Sequence, residues 1–576
     1  MELTQEQFGR ALDEVDTIVL DVETHNTQTY TGKKLMGVAI GIPAGLGCNT
    51  YYILPEDLHL YKARLSQVDI IAHNVLFDSE IMQQNGVPLN GKWWDTLTMA
   101  HINNENEFNF GLDFLCKKYI GRGKTDMKAI IEVFGWNNIP TNIMSQYAQN
   151  DADITWGLYL HLASKLAEQD LMKVYNTYVE YLKATRWIQS GGIVVDWSLV
   201  ERKRDEAELR LKQIRFKELR FDPGKRSAVD DFLYNQLKLP ILRRSAKSRK
   251  PQTDVAVLQT LRRRYPEHNP VLDLILEYRN VQKANGNWYA GYLKYKDDTG
   301  LIHPNFKVHG TKTGRLSCES PNLQQIPRDY GRVKCLFGDN PSAGEVLVEL
   351  DYSQIELRVA AYYSMLRGDD TMYKLYEAGE DVHTKTTEMV GAFNQIPDKK
   401  EARQVGKTGN FLWIYGGGAA KMRSQLFQLF GFRSSVEQCQ EWGAKFHEAY
   451  PGFRLCLHHA EQLHKSKQYI KLWNGRRRRI RERGDYGVKH HIAFNSQVQG
   501  GCGQLLMYAL IRIHKAYEAG ELQSRVVNTV HDSIWVYVPK DHFDEEVAEL
   551  TRLMRMTPEK VFKLPFEVDT KVMVQT

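Results

Sequence analysis

Three apolar, strand-like runs that carry acidic residues constrain this chain more than any other feature. They read DTIVLDVETHN near the start, VLVELDYS in the middle and RVVNTVHDSIWVYVP near the end. Alternate side chains of a strand share one face, so Asp21 and Glu23 in the first run project side by side. Two adjacent carboxylates repel each other unless a cation neutralises them. The first run therefore predicts a metal site built on a strand.

Further carboxylates follow the first run in an order that suits such a site. The stretch AHNVLFDSEIM supplies Asp78, and YAQNDADITW supplies Asp151 with Tyr147 one helical turn earlier. Each of them alone could be a helix cap or a surface acid. Together, Asp21, Glu23, Asp78 and Asp151 suit two divalent ions, which can make a water nucleophilic and stabilise an oxygen leaving group.

The other two runs place aspartates where strands end. Asp351 closes the middle run directly before a helix-like stretch, where an N-cap is the ordinary interpretation. A strand through VHDSIW would point His531 and Ser533 one way and Asp532 the other. A serine and a histidine on one face with the aspartate opposite cannot form a relay by themselves. Two interpretations of VHDSIW remain: Asp532 is a metal-binding carboxylate, or the stretch is an ordinary strand that crosses from the core to the solvent.

Between these runs, RQVGKTGNFLWIYGGG repeats cations and then aromatics at intervals of four residues: Arg403, Lys407, Phe411 and Tyr415. On a helix they form a slowly drifting stripe. The GKT is not a P-loop, because the first glycine of that motif would fall at Glu401 and no strand precedes it. The stripe is typical of an amphipathic helix with a basic end, but it also suits a ligand with a phosphate tail and a flat base.

Composition limits the class of protein. A chain of 576 residues with 42% hydrophobic and 25% charged residues is typical of a soluble globular protein of several domains. The sequence shows no transmembrane run and no signal sequence, and seven scattered cysteines without a CxxC pair favour a reducing cytoplasm. The net charge of +6 is concentrated in RRSAKSRK and RRRR. Each cluster alone would be a solvated face, and the two together indicate a polyanionic partner.

The motifs resemble those of two enzyme families joined in one chain. DVET, NVLFD and YAQND are similar to the three motifs of DEDD-type 3′→5′ exonucleases, in the variant with tyrosine. DYSQIELR, RQVGKTGNFLWIYG and VHDS resemble motifs A, B and C of the family A DNA polymerases, the DNA polymerase I family. TKTGRLSCESPNLQQIP, GEDVHTKT and HIAFNSQVQGG extend the resemblance to nearly the whole chain.

The resemblance implies a multidomain α/β and α+β fold. An RNase H-like 3′→5′ exonuclease domain is expected over residues 1–175, followed by a right-hand polymerase domain over residues 176–576. Within the latter we expect a thumb at about 200–300, a palm at about 301–365 and 480–576, and fingers at about 366–479.

The resemblance also implies roles for the acidic residues. In the exonuclease site, Asp21, Glu23, Asp78 and Asp151 hold two metal ions, and Tyr147 orients the attacking water. In the polymerase site, two Mg²⁺ ions are bound by Asp351 and Asp532. Mn²⁺ is expected to substitute for Mg²⁺ at both sites.

For the incoming nucleotide, the implied site comprises Arg403, Lys407, Phe411, Tyr415, His383, Gln354 and Glu356. Arg403, Lys407 and His383 would hold the phosphates, with Lys407 a candidate proton donor to pyrophosphate. Phe411 and Glu356 would wall the sugar, Glu356 acting as a steric gate, and Tyr415 would lie by the nascent base pair.

For DNA, the implied contacts are Arg315, Asn322, Gln324, Asn495, Gln499 and His531. Arg315 and Gln499 would read minor-groove acceptors that all correct base pairs share. RRRR is expected to follow a hairpin turn at Asn474–Gly475 and to point its arginines towards a nucleic-acid backbone, with RRSAKSRK at the tip of the thumb.

Three positions depart from the family pattern. Ser533 replaces the usual glutamate of motif C, Leu412 replaces a glycine, and His491 stands where a basic arginine is common. These departures bear on metal affinity, on finger packing and on primer contacts, in that order.

The sequence therefore predicts a DNA-templated DNA polymerase with proofreading, acting on primer-template DNA and dNTPs. The expected protein is a cytoplasmic monomer with no membrane contact, compatible with accessory replication proteins. The absence of a preceding 5′-nuclease domain and of a thioredoxin-type thumb insert favours a phage replicative enzyme in the host cytoplasm. The alternatives are an exonuclease with an impaired polymerase site, a repair-type polymerase, and a primer-template binding protein with both sites decayed.

Overall fold

The computed structural model describes residues 2–25, 29–245, 248–327, 331–430, 432–480 and 490–573. Its N-terminal part is an α/β domain. The strands are β1 (Thr17–Thr24), β2 (Leu35–Ala44), β3 (Gly47–Ile53), β4 (Asp69–Ala72) and β5 (Trp93–Asp95). The helices are α1 (Gln5–Glu14), α2 (Leu58–Leu65), α3 (Val75–Gln84), α4 (Thr96–Asn103), α5 (Leu112–Ile120), α6 (Lys128–Phe134) and α7 (Thr141–Glu168).

The five strands form one mixed sheet in the order β3-β2-β1-β4-β5, with β1 antiparallel to β2 and parallel to β4. Ile18, Leu20 and Val22 of β1 pack into the large core on one face. Val19 points to the other face, where it packs with residues of α7. Strand alternation therefore turns the side chains at 21 and 23 towards α7 as well.

A single helix, α8 (Met172–Gly191), connects this domain to the rest of the chain. It packs on α3 of the N-terminal domain and also on strands and helices near the C-terminus. One continuous apolar core runs from the N-terminal sheet through Tyr175, Tyr178 and Leu182 of α8 into the C-terminal sheet.

The next segment is helical and corresponds to the predicted thumb. It contains α9 (Trp197–Gln213), α10 (Arg226–Asp230), α11 (Val255–Arg264), α12 (Asn269–Ala284) and α13 (Ala290–Leu293). Its tip has a small apolar core of its own, which includes Ile214, Leu233, Leu258 and Leu272. At its base, the two-residue strands β6 (Ile193–Val194) and β7 (Leu301–Ile302) pair antiparallel.

The C-terminal sheet corresponds to the predicted palm. Its strands are antiparallel, in the order β13-β14-β10-β15, and span β10 (Glu345–Tyr352), β13 (Arg525–Val530), β14 (Ser533–Pro539) and β15 (Val568–Val572). The short hairpin of β8 (Phe306–Lys307) and β9 (Ser317–Cys318) precedes it. The palm helices are α14 (Ile355–Met365), α22 (His490–Glu518) and α23 (Phe543–Phe562).

Between α14 and α22 lies a helical segment that corresponds to the predicted fingers. Its helices are α15 (Thr371–Glu377), α16 (Val382–Met389), α17 (Ala392–Gln395), α18 (Lys399–Trp413), α19 (Ala419–Phe430), α20 (Val436–Ala449) and α21 (Gly452–Lys467). It ends in a hairpin of β11 (Ile470–Lys471) and β12 (Arg477–Arg478). As predicted, the chain turns through Asn474 and Gly475, where Gly475 has a φ of +93° that favours glycine.

Two expectations from composition can be compared with this fold. Among the described residues, no helix is both long and apolar enough to span a bilayer. All seven cysteines fall within the described ranges, and no disulfide joins any of them.

Candidate active sites

The first candidate site lies where β1 faces α7. Because Asp21 and Glu23 share the face of β1 that α7 covers, they meet Asp151, which α7 carries. Carboxylate oxygens of these three residues all lie within 4.8 Å of one another. Tyr147 lies one helical turn before Asp151 and is buried beside it. The strand and helix periodicities thus bring together four of the five residues predicted for this site.

The fifth residue, Asp78, approaches from α3. It is buried, and its Oδ1 accepts a hydrogen bond of 3.3 Å from the backbone N–H of Val22, between the two acids of β1. Burial, and then the neighbouring Asp21, raise the pKa of Asp78 well above its usual range. Asp78 therefore lies against the cluster without belonging to the group of three.

The electrostatics of this cluster favour a bound cation. Burial and Asp151 raise the pKa of Asp21 to about 7, and burial and Asp21 raise the pKa of Glu23 to about 9. Among the described residues, Asp21 Oδ2 and Asp151 Oδ1 are buried and accept no hydrogen bond. Buried oxygens without donors are costly, and a divalent cation would relieve both the repulsion and the missing partners. The donor set therefore fits a divalent metal site.

Lys124 was missed by the sequence analysis. Its Nζ forms an ion pair with Asp151 and lies 4.7 Å from the ring centroid of Tyr147. Burial opposes its charge, but Asp151, Tyr147 and Asp21 together hold the pKa of Lys124 above its usual range. It comes from the loop between α5 and α6, where no periodic pattern marks it. Lys124 thus supplies part of the positive charge that the carboxylates require.

A cleft of about 800 Å³ opens onto this site. Besides Asp21 and Lys124, its lining includes Lys117, Lys118 and Asn109. Three lysines around acidic residues allow a negatively charged chain to approach a cluster that would otherwise repel it.

The second candidate site lies at the edge of the palm sheet. Strand β10 pairs with β14 so that Asp351 lies opposite Ser533. Strands β13 and β14 are joined by the two-residue turn His531–Asp532, in which His531 has a φ of +58°. VHDSIW is therefore a hairpin turn, and its interpretation as one continuous strand was wrong. The turn puts Asp532 next to the end of β10, where Asp351 lies.

Ser533 does not point to solvent beside Asp532. It is 2% exposed, and its hydroxyl oxygen lies 2.8 Å from the backbone oxygen of Val530 and 3.3 Å from Glu349 Oε1. Glu349 in turn accepts hydrogen bonds of 2.9 and 2.7 Å from Lys334 Nζ. A partly buried carboxylate therefore lies across the strand pair from Ser533, held by a lysine.

Arg315 connects the aspartate of the turn to α14 and α22. Its Nη2 lies 3.2 Å from Asp532 Oδ1 and 3.1 Å from Glu356 Oε1. Its Nε donates a hydrogen bond of 3.3 Å to the backbone oxygen of Gln499. Beside this cluster, burial and the carboxylate of Glu356 raise the pKa of Tyr415 well above its usual range. One contact network therefore joins Gln499 to four residues that were predicted from different motifs: Arg315, Glu356, Tyr415 and Asp532.

The fingers present the predicted stripe. Helix α18 carries Arg403, Lys407 and Phe411 on its outer face, and Tyr415 follows two residues after the helix ends. Phe411 is 42% exposed although it is aromatic. Arg403 is held by Asp381, which accepts from its Nε at 2.7 Å and from its Nη2 at 3.0 Å. Burial alone would oppose a charged Asp381, but Arg403 and Thr384 lower its pKa to about 2.

His383 lies behind this stripe and is only 4% exposed. Its Nδ1 accepts from Asn410 Nδ2 at 3.1 Å, and Asn410 is a residue that the sequence analysis missed. Burial and the charge of Arg403 lower the pKa of His383 to about 4, so the ring is neutral at neutral pH.

The remaining predicted residues form local contacts. Gln324 Nε2 donates to Thr529 Oγ1 at 3.1 Å, and Asn322 Oδ1 accepts the backbone N–H of Gln324 at 3.1 Å. Gln354, with a φ of +54°, accepts from the hydroxyl of Tyr376 at 3.0 Å. His531 is exposed at the hairpin tip, and Asn495 Oδ1 is buried with no hydrogen-bond donor among the described residues.

The arginine cluster after the Asn474–Gly475 turn does not extend towards a DNA backbone as predicted. Arg478 Nη1 and Arg479 Nη1 each lie 2.9 Å from a different oxygen of Glu105, a fully buried residue of the N-terminal domain. Arg476 is 1% exposed and lies beside His101. That prediction was wrong for these three arginines, which join the β11–β12 hairpin to the N-terminal domain. In RRSAKSRK, Arg243 pairs with Asp254, and residues 246–247 lie outside the described part of the chain.

Comparison with known proteins adds the family. Residues 198–575 match the model of DNA polymerase family A, and residues 2–167 match a 3′-5′ exonuclease model. The chain belongs to DNA polymerase family A. The predicted fold class, an exonuclease domain followed by a polymerase domain, is confirmed.

Among its relatives, DNA polymerase I of Borreliella burgdorferi is 25% identical over 575 residues, covering 95% of this chain and 61% of the relative. The thermostable DNA polymerase I of Thermus thermophilus is 30% identical over 63% of this chain and 43% of the relative. The chain thus spans about three fifths or less of these relatives. A solved structure described as the POL domain of Pol1 from M. smegmatis in complex with DNA primer-template and dNTP has a TM-score of 0.81 at 22% identity, covering 98% of this chain and 96% of that one.

The structure describes the surroundings of two of the three residues that depart from the family A pattern. Leu412 is buried in the fingers and packs closely on Gly417. A Cβ atom added to Gly417 would lie 2.2 Å from Cδ1 of Leu412. Ser533 lies against Glu349, as described above. The side chain of His491 lies outside the described part of the chain.

Proposed function

We propose that this chain is a DNA-templated DNA polymerase that extends a primer 3′ end with dNTPs and proofreads it with a 3′→5′ exonuclease. The exonuclease activity is assigned to residues 1–175 and the polymerase activity to residues 176–576. The observation that carries the proposal is the pair of carboxylate sites on one family A chain, one at β1 and α7 and one at the end of β10 beside the β13–β14 turn.

In the polymerase site, Asp351 and Asp532 would hold two Mg²⁺ ions, or Mn²⁺ in their place. Such ions, when bound, activate the primer hydroxyl and neutralise the triphosphate and the departing pyrophosphate. The outer face of α18 supplies the remaining charge: Arg403 and Lys407 hold phosphates, and Lys407 donates a proton to pyrophosphate. Phe411 and Tyr415 offer flat surfaces to the sugar and the base.

Arg315 changes partners when DNA binds. In the free protein its guanidinium neutralises Asp532 and Glu356. A primer-template offers minor-groove acceptors that do not depend on sequence, so Arg315 can exchange a carboxylate for a base edge. The exchange leaves Asp532 negatively charged when the primer terminus is in place. Glu356, freed in the same step, stands beside Tyr415 to exclude a ribose hydroxyl.

In the exonuclease site, Asp21, Glu23, Asp78 and Asp151 would hold two divalent ions. These ions, when bound, make a water nucleophilic and stabilise the leaving 3′-oxygen. Tyr147 orients that water through its hydroxyl. Lys124 neutralises Asp151 in the free protein and moves aside when stronger positive charge arrives.

Primer extension with four dNTPs and Mg²⁺ tests the proposal on a 5′-labelled primer. The wild-type protein should lengthen the primer with dNTPs and shorten it without them. Asp351→Ala should abolish lengthening and keep shortening, and Asp21→Ala with Glu23→Ala should do the reverse. Lengthening by Asp351→Ala at the wild-type rate would contradict the assignment of the polymerase site.

A second candidate function is a 3′→5′ exonuclease whose polymerase site is impaired. It is favoured by Ser533, because motif C lacks its usual acid. In the same assay it predicts shortening without lengthening, even at high Mg²⁺ or Mn²⁺. Phage replication, a monomeric state and accessory replication proteins stay predictions.

A further inference from the structure

The thumb and the fingers touch each other at their tips. The guanidinium carbon of Arg263, at the end of α11, lies 3.5 Å from the ring centroid of Phe427 on α19. A guanidinium over an aromatic face at this distance is a cation–π contact, worth roughly 0.5–1 kcal/mol where solvent reaches it. Ala256 and Ser424 line the same groove from opposite sides.

Both segments are also fixed to the palm side at their bases. The thumb is joined through Arg332, whose Nη2 donates to the backbone oxygen of Asn280 on α12 at 2.9 Å. The fingers are joined through Tyr373, whose hydroxyl donates to the backbone oxygen of Lys563, after α23, at 2.8 Å. Two arms that share a base and meet at their tips enclose the space between them.

The charge at the tip contact is unbalanced. The groove between thumb and fingers is lined by Arg263, Arg423 and Arg433, and none of the described residues that line it is acidic. Within the described ranges, none of these three arginines forms an ion pair with a carboxylate, whereas the neighbouring Arg262 pairs with Asp273 at 2.7 Å. Partial burial and the nearby Arg433 lower the pKa of Arg263. Glu437 lies outside the groove lining, and hydrogen bonds and then the charge of Arg423 lower its pKa, so the positive charge of the groove is only partly balanced. Like charges that are only partly balanced weaken a contact unless a polyanion lies beside it.

We propose that thumb and fingers close around primer-template DNA through the Arg263–Phe427 contact, so that the DNA passes through a ring formed with the palm. The three arginines attract the phosphate backbone, and the cation–π contact closes the ring. The ligand class is DNA, as in the proposed function on which this inference rests. A closed ring slows dissociation from DNA and so lengthens each binding event.

Covalent closure of the groove tests the ring. Ala256→Cys and Ser424→Cys, in a Cys335→Ser background because the other six cysteines are buried, place one thiol on each side of the groove. The protein is loaded on primed circular single-stranded DNA or on the same DNA linearised, joined with a flexible bis-maleimide, and washed at 1 M salt. We expect the joined protein to stay on circles at least tenfold longer than on linear DNA. Each single-cysteine variant, treated alike, should leave both DNAs equally fast.

Two results would overturn the ring. One is equal loss of the joined protein from circular and linear DNA. The other is cross-linking that occurs in the free protein and disappears once DNA is bound, which would assign the contact to the DNA-free state alone. Neither readout requires catalysis. A protein that remains on circular DNA but never extends a primer would therefore contradict the proposed function and still support the ring.

Product length per binding event gives a second test. With an excess of unlabelled trap DNA, Arg263→Ala and Phe427→Ala should each shorten the products several-fold. Arg262→Ala is the matched control, because that arginine pairs with Asp273 of its own domain, and it should leave product length unchanged. Equal shortening by all three variants would show a general loss of positive charge and would contradict the ring.

Discussion

The hydroxyl of Ser533 lies 3.3 Å from Oε1 of Glu349, across the pair of strands β10 and β14. Family A chains usually have a glutamate at the position of Ser533. Here the carboxylate of Glu349, which lies opposite Trp535 in the strand register, is a diagonal neighbour of the serine, and Lys334 neutralises it. The acid that motif C lacks therefore has a counterpart two residues before Asp351.

This relationship predicts that the two positions depend on each other. Ser533→Glu alone puts a buried carboxylate in contact with the partly buried Glu349 and should destabilise the protein by about 1–3 kcal/mol. Adding Glu349→Ser moves the single acid to the other strand and should restore most of that loss. Urea unfolding of the two single variants and the double variant measures the coupling. Additive losses would mean that the two side chains do not interact.

The Mg²⁺ titration of primer extension adds a readout of the site. If Glu349 supplies the negative potential that motif C lacks, Glu349→Gln should raise the Mg²⁺ concentration needed for half-maximal extension. The double variant Ser533→Glu with Glu349→Ser should return that concentration towards the wild-type value. An unchanged titration in Glu349→Gln would restrict its role to packing.

The exonuclease carboxylates predict a pH-dependent stability in the absence of metal. The pKa values of Asp21 and Glu23, about 7 and about 9, lie above the 3.8 and 4.5 expected for unfolded carboxyls. The folded protein then binds protons that the unfolded chain has released, so the free energy of unfolding falls as pH rises towards and through these values. In EDTA, the melting temperature should fall between pH 6 and pH 9.

Mg²⁺ should restore the melting temperature most at the alkaline end, where the ionised carboxylates repel each other. Asp21→Asn with Glu23→Gln should reduce both the pH dependence and the metal effect, leaving the part that comes from Asp78 and Asp151, whose pKa values burial also raises. A wild-type melting temperature that rises from pH 6 to pH 9 in EDTA would refute the raised pKa values.

Lys124 should compete with metal for Asp151. Lys124→Met removes the only cation that the structure describes in contact with Asp151, so it should lower the melting temperature in EDTA. Mg²⁺ should then stabilise the variant more than the wild type. Lys165→Met is the control, because Lys165 pairs with Glu168 at the exposed end of α7, away from the cleft, and should change neither value. Equal metal stabilisation of Lys124→Met and wild type would show that the lysine and the metal do not compete.

The hairpin arginines should hold the two halves of the molecule together. Glu105→Gln leaves Arg478 and Arg479 side by side without their buried partner, a loss of about 3–5 kcal/mol by the usual cost of breaking such a pair. Urea unfolding, with limited proteolysis near the β11–β12 hairpin, measures it. Glu6→Gln, which breaks an exposed pair with Arg10, should have no measurable effect. Stability unchanged in Glu105→Gln would mean that the hairpin is held by other contacts.

Local periodicity explains which parts of these sites could be predicted. Asp21 and Glu23 share a strand face, Tyr147 and Asp151 share a helix face, and both rules hold in the structure. The α18 stripe follows the same logic. In each case the residues lie on one element, so their spacing alone fixes their relative direction.

What the sequence could not reveal depends on distant contacts. Lys124 reaches Asp151 from a loop, and Glu105 meets the hairpin arginines across more than 370 positions of chain. The turn at His531–Asp532 was missed because neither residue is the glycine or asparagine that marks a two-residue hairpin, although His531 adopts a left-handed conformation. A run of arginines looks the same whether it meets phosphate or a buried glutamate.

Helix α8 has a consequence for how this protein can be dissected. The Tyr175 hydroxyl accepts the backbone N–H of Asp95 at 2.7 Å, while the Tyr178 hydroxyl, less than one turn later, lies 3.3 Å from Gln504 of α22. A fragment cut on either side of α8 would leave an apolar, tyrosine-rich surface bare and prone to aggregate. The thumb tip, with an apolar core of its own, is the part suited to transplantation between relatives. For expression or domain exchange, the N-terminal domain, α8 and the palm should therefore be kept together in one fragment.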